Sequence, residues 1–225
     1  DFDKRNAYFN ASKDEMLKVA RENVARNAAA GVTLVRDAGD RYGVNDAIRD
    51  EQRPARVVVR SPGLGIKRPK RYGGFMARDI EASGDVASVV ADMAASADDI
   101  KIILTGIIDF AAGDVKGAPQ FDEAELRSIV QTAHARARKT FAHCSGLAGL
   151  KVAVAAGVDS IEHGFFMTSD ILDAMAQKRI AWVPTVSPVH FQWARPELAG
   201  WDANTIGNLR RILDSHAEHL LRAHE

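Results

Sequence analysis

The sequence predicts an α/β fold built on a parallel sheet, and two patterns carry that expectation. Apolar, β-branched runs of strand length alternate with helical stretches through six repeats, an order that needs crossover helices between parallel strands. Several runs are apolar throughout, as strands covered on both faces are. Six such units, with long loops after some strands, describe most of a (β/α)8 barrel. An open doubly wound sheet is the other arrangement; against it, no GxGxxG follows a first strand and no P-loop occurs.

Ser12-Lys-Asp-Glu15 is a capping box that opens a helix running to about Ala30, with Met16, Leu17, Val19 and Ala20 on its apolar side and Gly31 ending it. Val32 to Val35 is a β-branched strand, followed at once by Arg36-Asp37-Ala38-Gly39. A short helix over about Gly43 to Gln52 leads to a strand over Ala55 to Arg60, closed by Ser61-Pro62-Gly63. Residues 61–78, rich in Gly, Pro, Lys and Arg, read as a long loop. A helix over about Asp85 to Ala97 precedes the strand Ile100 to Leu104, and 105–121 is a second long loop. Asp122 caps a helix to about Arg138. Then come a strand over 140–143, a helix near 146–156, a strand over 158–163, a helix near 169–178 and the strand Ile180 to Thr185. The remainder, about 195–225, is amphipathic helix.

At 225 residues the chain is long enough for a sizeable core, and it is read as one partial barrel domain over residues 1–225. Thirty basic and thirty acidic residues cancel, so no field recruits nucleic acid or an anionic membrane. Cys144 alone forms no internal disulfide. No run approaches the roughly 20 apolar residues of a membrane span, and a cytoplasmic location is expected. The chain starts without Met and stops within a helix, which suggests a piece of a longer protein.

His143 and His163 end two consecutive strands. Functional groups of a parallel barrel sit at the carboxyl ends of its strands. Adjacent strands lie about 4.8 Å apart, so two inward imidazoles can reach one cation or two neighbouring ones. Two hydrogen-bonded strand-end histidines are the other reading, and spacing does not choose between them. Alternation places Cys144 and Glu162 on the opposite sides of their strands from the histidines, away from any shared ligand. Lys101 interrupts an apolar strand, where a charge is costly to bury; it is either a functional amine or a lysine reaching back to solvent. His134, His216, His219 and His224 are expected to be solvated, and His190, on a loop near the active face, is a candidate to touch the substrate. The basic loop Lys67 to Arg71 is expected to be solvated, with a substrate carboxylate as its other partner.

The stretches "GVTLVRDAGD" (31–40), "DDIKIILTG" (98–106), "FAHCSGLAGLKVAVAAGVDSIEHG" (141–164) and "WVPTVS" (182–187) resemble the amidohydrolase superfamily, closest to its imidazolonepropionase-like and Xaa-Pro-dipeptidase-like branch. The resemblance runs in order from about residue 12 to residue 190. It implies a TIM-type (β/α)8 barrel of the metal-dependent hydrolase kind holding two divalent ions, usually zinc. His143 and His163 would be the ligands ending strands five and six, and Lys101 the strand-four lysine that bridges the ions once CO2 has converted it to a carbamate.

The family also places an HxH pair on strand one and a proton-shuttling Asp on strand eight. No HxH occurs here, and Asp202 and Asp214 both fall in helical contexts. The sequence therefore resembles strands two to seven, with strands one and eight missing, and no catalytic residue is assigned. For the complete protein the resemblance implies hydrolysis of the amide bond of a small substrate, such as a dipeptide or cyclic amide, by metal-activated hydroxide. The chain alone would be inactive. Two alternatives remain: a mononuclear deaminase of the same superfamily, which would lack the bridging lysine, and a non-catalytic barrel-derived module whose open edges pair in a homo-oligomer.

Overall fold

The computed structural model describes residues 7–51 and 57–224. Helix α1 (Lys13–Ala29) opens with the expected capping box: the Ser12 hydroxyl accepts from Glu15 N–H, and the Glu15 carboxylate accepts from Ser12 N–H. Strand β1 (Leu34–Arg36), helix α2 (Val44–Glu51) and strand β2 (Val58–Arg60) follow. The two strands pair in parallel as a sheet of their own, and Met16, Val44, Ile48, Val57 and Val59 form a core beneath them. Residues 55 and 56 of the expected second strand lie outside the described residues.

The long loop expected over 61–78 is not a loop. It contains β3 (Gly65–Lys67) and the start of β4 (Ala77–Asp79), which pair in parallel with each other. Helix α3 (Val86–Met93) leads to β5 (Asp99–Ile103), every residue of which is buried. Residues 105–121 likewise hold an antiparallel hairpin, β6 (Ile108–Asp109) and β7 (Asp114–Val115). Helix α4 (Glu123–His134) starts with a second capping box, Asp122 with Glu125. It ends four residues before the expected Arg138. Then come β8 (Lys139–Cys144), α5 (Leu147–Ala156), β9 (Ser160–His163), α6 (Ser169–Lys178), β10 (Ala181–Pro184), α7 (Ser187–Ala194) and α8 (Ala203–His224). Gly157, at φ +79°, ends α5 in the left-handed conformation and turns the chain into β9.

The main sheet has the order β10-β9-β8-β5-β3-β4 with every pairing parallel. Its outer face carries Ile100, Ile102, Ala142, Cys144 and Ile161, which pack against Val90, Leu126, Ile129, Leu150 and Met175 of the covering helices. Each fully buried Ile or Leu there contributes roughly 1.5–3 kcal/mol of apolar burial. Two polar clamps tie the β1–β2 pair to this sheet. Arg60 donates twice to Asp99, at 2.9 Å each, and Arg36 donates to Glu162 at 2.7 Å. The sheet is an incomplete parallel barrel, as the sequence leads one to expect. Among the described residues, no helix is long and apolar enough to cross a membrane.

Candidate functional site

The inner face of the sheet mixes polar and charged side chains with apolar ones, where the outer face is apolar. Register aligns Lys101 with Phe141 and Ser160 across β5, β8 and β9, and one pleat further along it aligns Ile103, His143 and Glu162. Glu162 therefore shares the face of His143, contrary to the alternation argument. His163 lies in register with Cys144, which starts it on the outer face. Its φ of +70° breaks the alternation at the strand end and swings the ring into the mouth. Gly164 follows at φ +63°, where a Cβ would overlap the Trp182 indole nitrogen. Cys144 stays fully buried in the outer core, as expected, and burial pushes its thiol pKa up.

The imidazoles of His143 and His163 meet edge to face with centroids 4.7 Å apart. A ring nitrogen facing a carbonyl must carry the proton. His143 Nε2 thus donates to Gly106 O, 3.3 Å away, and leaves Nδ1 with its lone pair. His163 Nδ1 meets Thr185 Oγ1 at 2.9 Å, and Nε2 is left over. Burial lowers the His143 pKa to about 3, helped by the charges of His163 and Lys101; burial, then Lys101, lowers that of His163 to about 4. Both rings are therefore neutral at ordinary pH, the form that ligates metal.

Lys101 is 2% exposed on β5. It neither reaches solvent nor sits at the strand end, since β5 runs on to Ile103. Its Nζ lies 4.8 Å from the Phe141 ring centroid and, among the described residues, has no hydrogen-bond or ion-pair partner. Burial pulls its pKa down to about 8; Arg36 lowers it further while Glu162 and Asp37 oppose. Among the described residues no three His, Cys, Asp or Glu side chains gather as a metal-holding group. The donors that could hold a cation are the two imidazoles together with a Lys101 made anionic.

Other expectations change. His190 lies on helix α7 rather than a loop, exposed and 5.7 Å from Trp193 ring to ring. His216 is not solvated: it is 3% exposed, stacked on Phe165 at 4.2 Å and edge-on to Trp182 at 5.1 Å, and neither ring nitrogen has a hydrogen-bond partner among the described residues. In the basic loop, Lys67 is buried against Asp79 at 2.5 Å, and Arg68 pairs with Glu125 beneath the Phe121 ring. Asp202 caps α8 through Thr205 N–H and Asp214 pairs with Arg210, so neither enters the mouth. Sequence reasoning missed Tyr72, whose ring lies 5.1 Å from that of His143, and the Arg36–Glu162 pair.

Comparison with known proteins agrees with this architecture. The model of the amidohydrolase family matches residues 9–225. An uncharacterized protein of Mycobacterium tuberculosis is 32% identical over 159 residues, which is 69% of this chain and 41% of that one. The ochratoxinase of Aspergillus niger is 28% identical over 164 residues, 72% of this chain and 34% of the enzyme. The chain thus spans less than half the length of these relatives. Among solved structures, a Xaa-Pro dipeptidase with methionine bound in its active site superposes with a TM-score of 0.76 at 23% identity, covering 95% of this chain and 57% of that one. The A. niger ochratoxinase superposes at 0.70 with 24% identity, covering 88% and 50%. At such identities the likeness is one of fold. Together with the match across residues 9–225, it means that the chain belongs to the amidohydrolase family.

Proposed function

We propose that the chain supplies part of the metal centre of an enzyme that hydrolyses the amide bond of a small substrate, such as a dipeptide or cyclic amide. The observation that carries this is the meeting of two imidazoles at the mouth of a parallel sheet, with a buried lysine one pleat beneath them that has no hydrogen-bond or ion-pair partner among the described residues. Nδ1 of His143, Nε2 of His163 and the Lys101 side chain, carboxylated by CO2, would hold two divalent ions, zinc by the preference of nitrogen donors. Such ions supply Lewis acidity, polarising a carbonyl and making water a nucleophile at neutral pH.

The chain's own residues do the positioning. Gly106 O and Thr185 Oγ1 fix the rotation and tautomer of the rings, as outer partners of metal-binding histidines do. Tyr72 lies against the His143 ring and Phe141 against the Lys101 amine, so the two rings wall the centre. His190 is proposed only to border an incoming substrate.

The test is retention of zinc after equilibration and dialysis, in the chain and in Lys101→Met, His143→Ala and His163→Ala. The expected result is retention by the parent and its loss in all three variants, with hydrolysis of dipeptide amides measured on the complete protein. Retention unaffected by the variants would overturn the reading. One ion per chain with no CO2 on Lys101 would move it to the mononuclear deaminase class.

A further inference from the structure

Tyr72, Phe75 and Phe9 are each half-buried, and among the described residues none of them joins an apolar cluster of the core. They pack on one another and on the site instead. The Tyr72 ring lies 5.1 Å from that of His143, Phe75 meets Tyr72 edge to face at 5.9 Å, and Phe9 lies 6.0 Å from Phe75. A strip of three rings thus starts at the metal-binding candidate and leads away from it. The loop that carries two of the rings follows β3 and is pinned at several points. Gln120 donates through Nε2 to Tyr72 O at 3.1 Å and accepts from Arg68 N–H at 2.9 Å. Gly73, at φ +108°, sits so close to β5 that a Cβ there would lie 2.8 Å from Ile103 Cγ1. Phe75 O accepts from Arg41 N–H at 3.3 Å, which ties the loop to the segment leaving the carboxyl end of β1. The backbone beneath the rings is therefore set before any ligand arrives, which lowers the cost of binding one.

We propose that Tyr72, Phe75 and Phe9 form a subsite for an aromatic group of the substrate, so that the complete protein prefers amides bearing an aromatic side chain beside the scissile bond. The inference rests on the reading of the site as that of an amide hydrolase, and it names the substrate class. Half-exposed rings that open on a reactive centre are the usual lining of a ligand pocket. Edge-to-face and offset contacts between rings add to what apolar burial alone contributes, so the strip selects a flat ring over a methyl group. The first ring touches His143, so the group it selects is attached close to the bond held there. A methyl side chain would leave the rings half in water and gain little from them.

The experiment measures kcat/KM of the complete, zinc-loaded protein on the dipeptides Phe-Ala, Ala-Phe and Ala-Ala. The readout is the ratio of the better phenylalanine substrate to Ala-Ala, in which a general loss of activity cancels. The parent ratio should be about tenfold or more. Tyr72→Ala and Phe75→Ala should each lower it by about fivefold, chiefly through the KM of the aromatic substrate, while Tyr72→Phe keeps it. Residues needed only for folding would lower both substrates together and leave the ratio where it was. A parent ratio near one, or alanine variants whose ratio equals that of the parent, overturns the proposal. Should the alanine variants fail to fold, Phe75→Leu and Phe9→Leu keep the apolar bulk and remove the ring face: a lowered ratio supports the proposal and an unchanged one overturns it. A protein that cleaves none of the three removes the dipeptide reading and the inference with it, an outcome distinct from cleavage of all three without preference.

Discussion

The rings of His143 and His163 stand 4.7 Å apart although the register of β8 and β9 starts their side chains on opposite faces of the sheet. A left-handed backbone at a non-glycine residue costs of order 1–3 kcal/mol and persists where the surroundings impose it. At His163 those surroundings include the Thr185 hydroxyl on Nδ1 and the Trp182 indole N–H donating to the His163 carbonyl at 2.9 Å. Thr185→Val keeps the shape of residue 185 and removes only the hydroxyl. It should weaken zinc binding by about 10- to 100-fold, while His163→Ala abolishes it. Competition against a chromophoric chelator measures both, and a Thr185→Val affinity equal to that of the parent would show that the hydroxyl plays no part in orienting the ring.

Lys101 is retained at a cost to folding. A 2% exposed amine with no hydrogen-bond or ion-pair partner among the described residues is less stable than an apolar side chain of similar length. Lys101→Met should therefore raise the stability of the metal-free chain by about 2 kcal/mol, read as a shift of the urea midpoint, while zinc retention disappears. A less stable Lys101→Met chain would mean that the amine is held by a favourable interaction.

How much of this was legible depends on whether a residue's fate is set locally. Strands β5, β8 and β9 announce themselves because Ile100, Ile102, Phe141 and Ile161 are buried whatever their neighbours do. Strands β3 and β4 are three residues each, Gly-Ile-Lys and Ala-Arg-Asp, and exist because a neighbouring strand offers a ladder; nothing in their composition says so. The meeting of His143 and His163 was expected from strand order, Lys101 was joined to them only by the family resemblance, and the route taken by His163 was not expected. Alternation assumes an extended chain to the last residue, and the Gly after His163 was the signal that it would not hold. His216 was equally readable in hindsight: Leu209, Ile212 and His216 are spaced three and four apart on one buried stripe of α8.

The loop between β3 and β4 is pinned by Arg68, which bonds Glu125, donates to Ile80 O at 2.9 Å and covers the Phe121 ring at 5.0 Å. Glu125 is also the residue that closes the Asp122 capping box of α4. Removing one partner of a largely buried pair leaves the other charge uncompensated, so Arg68→Ala should cost about 3 kcal/mol in urea unfolding. Zinc affinity should be unchanged, since Arg68 is committed to this scaffold. A variant that keeps its stability but loses zinc would reassign the loop to the site.

His216 adds to the acid sensitivity that the fold also owes to His143 and His163, whose pKa values burial likewise lowers. Its ring lies between Phe165 and Trp182, its nitrogens have no hydrogen-bond partner among the described residues, and burial, with a smaller contribution from His219, lowers its pKa from 6.5 to about 4. The native state therefore holds this ring neutral, while the unfolded chain protonates it below about pH 6.5. A depressed native pKa means stability present in full above the unfolded value and lost as pH falls from there toward about 4. The window is thus about pH 6.5 down to 4, and the loss from this one group amounts to about 3 kcal/mol. His216→Phe preserves an aromatic ring in the stack and removes the titration. Urea midpoints at about pH 7.5 and about pH 5 should fall less on acidification in the variant than in the parent, because the variant loses one of three buried imidazoles, His143 and His163 remaining in both proteins. An identical fall in the two proteins would mean that the ring finds a partner for its proton without leaving the stack.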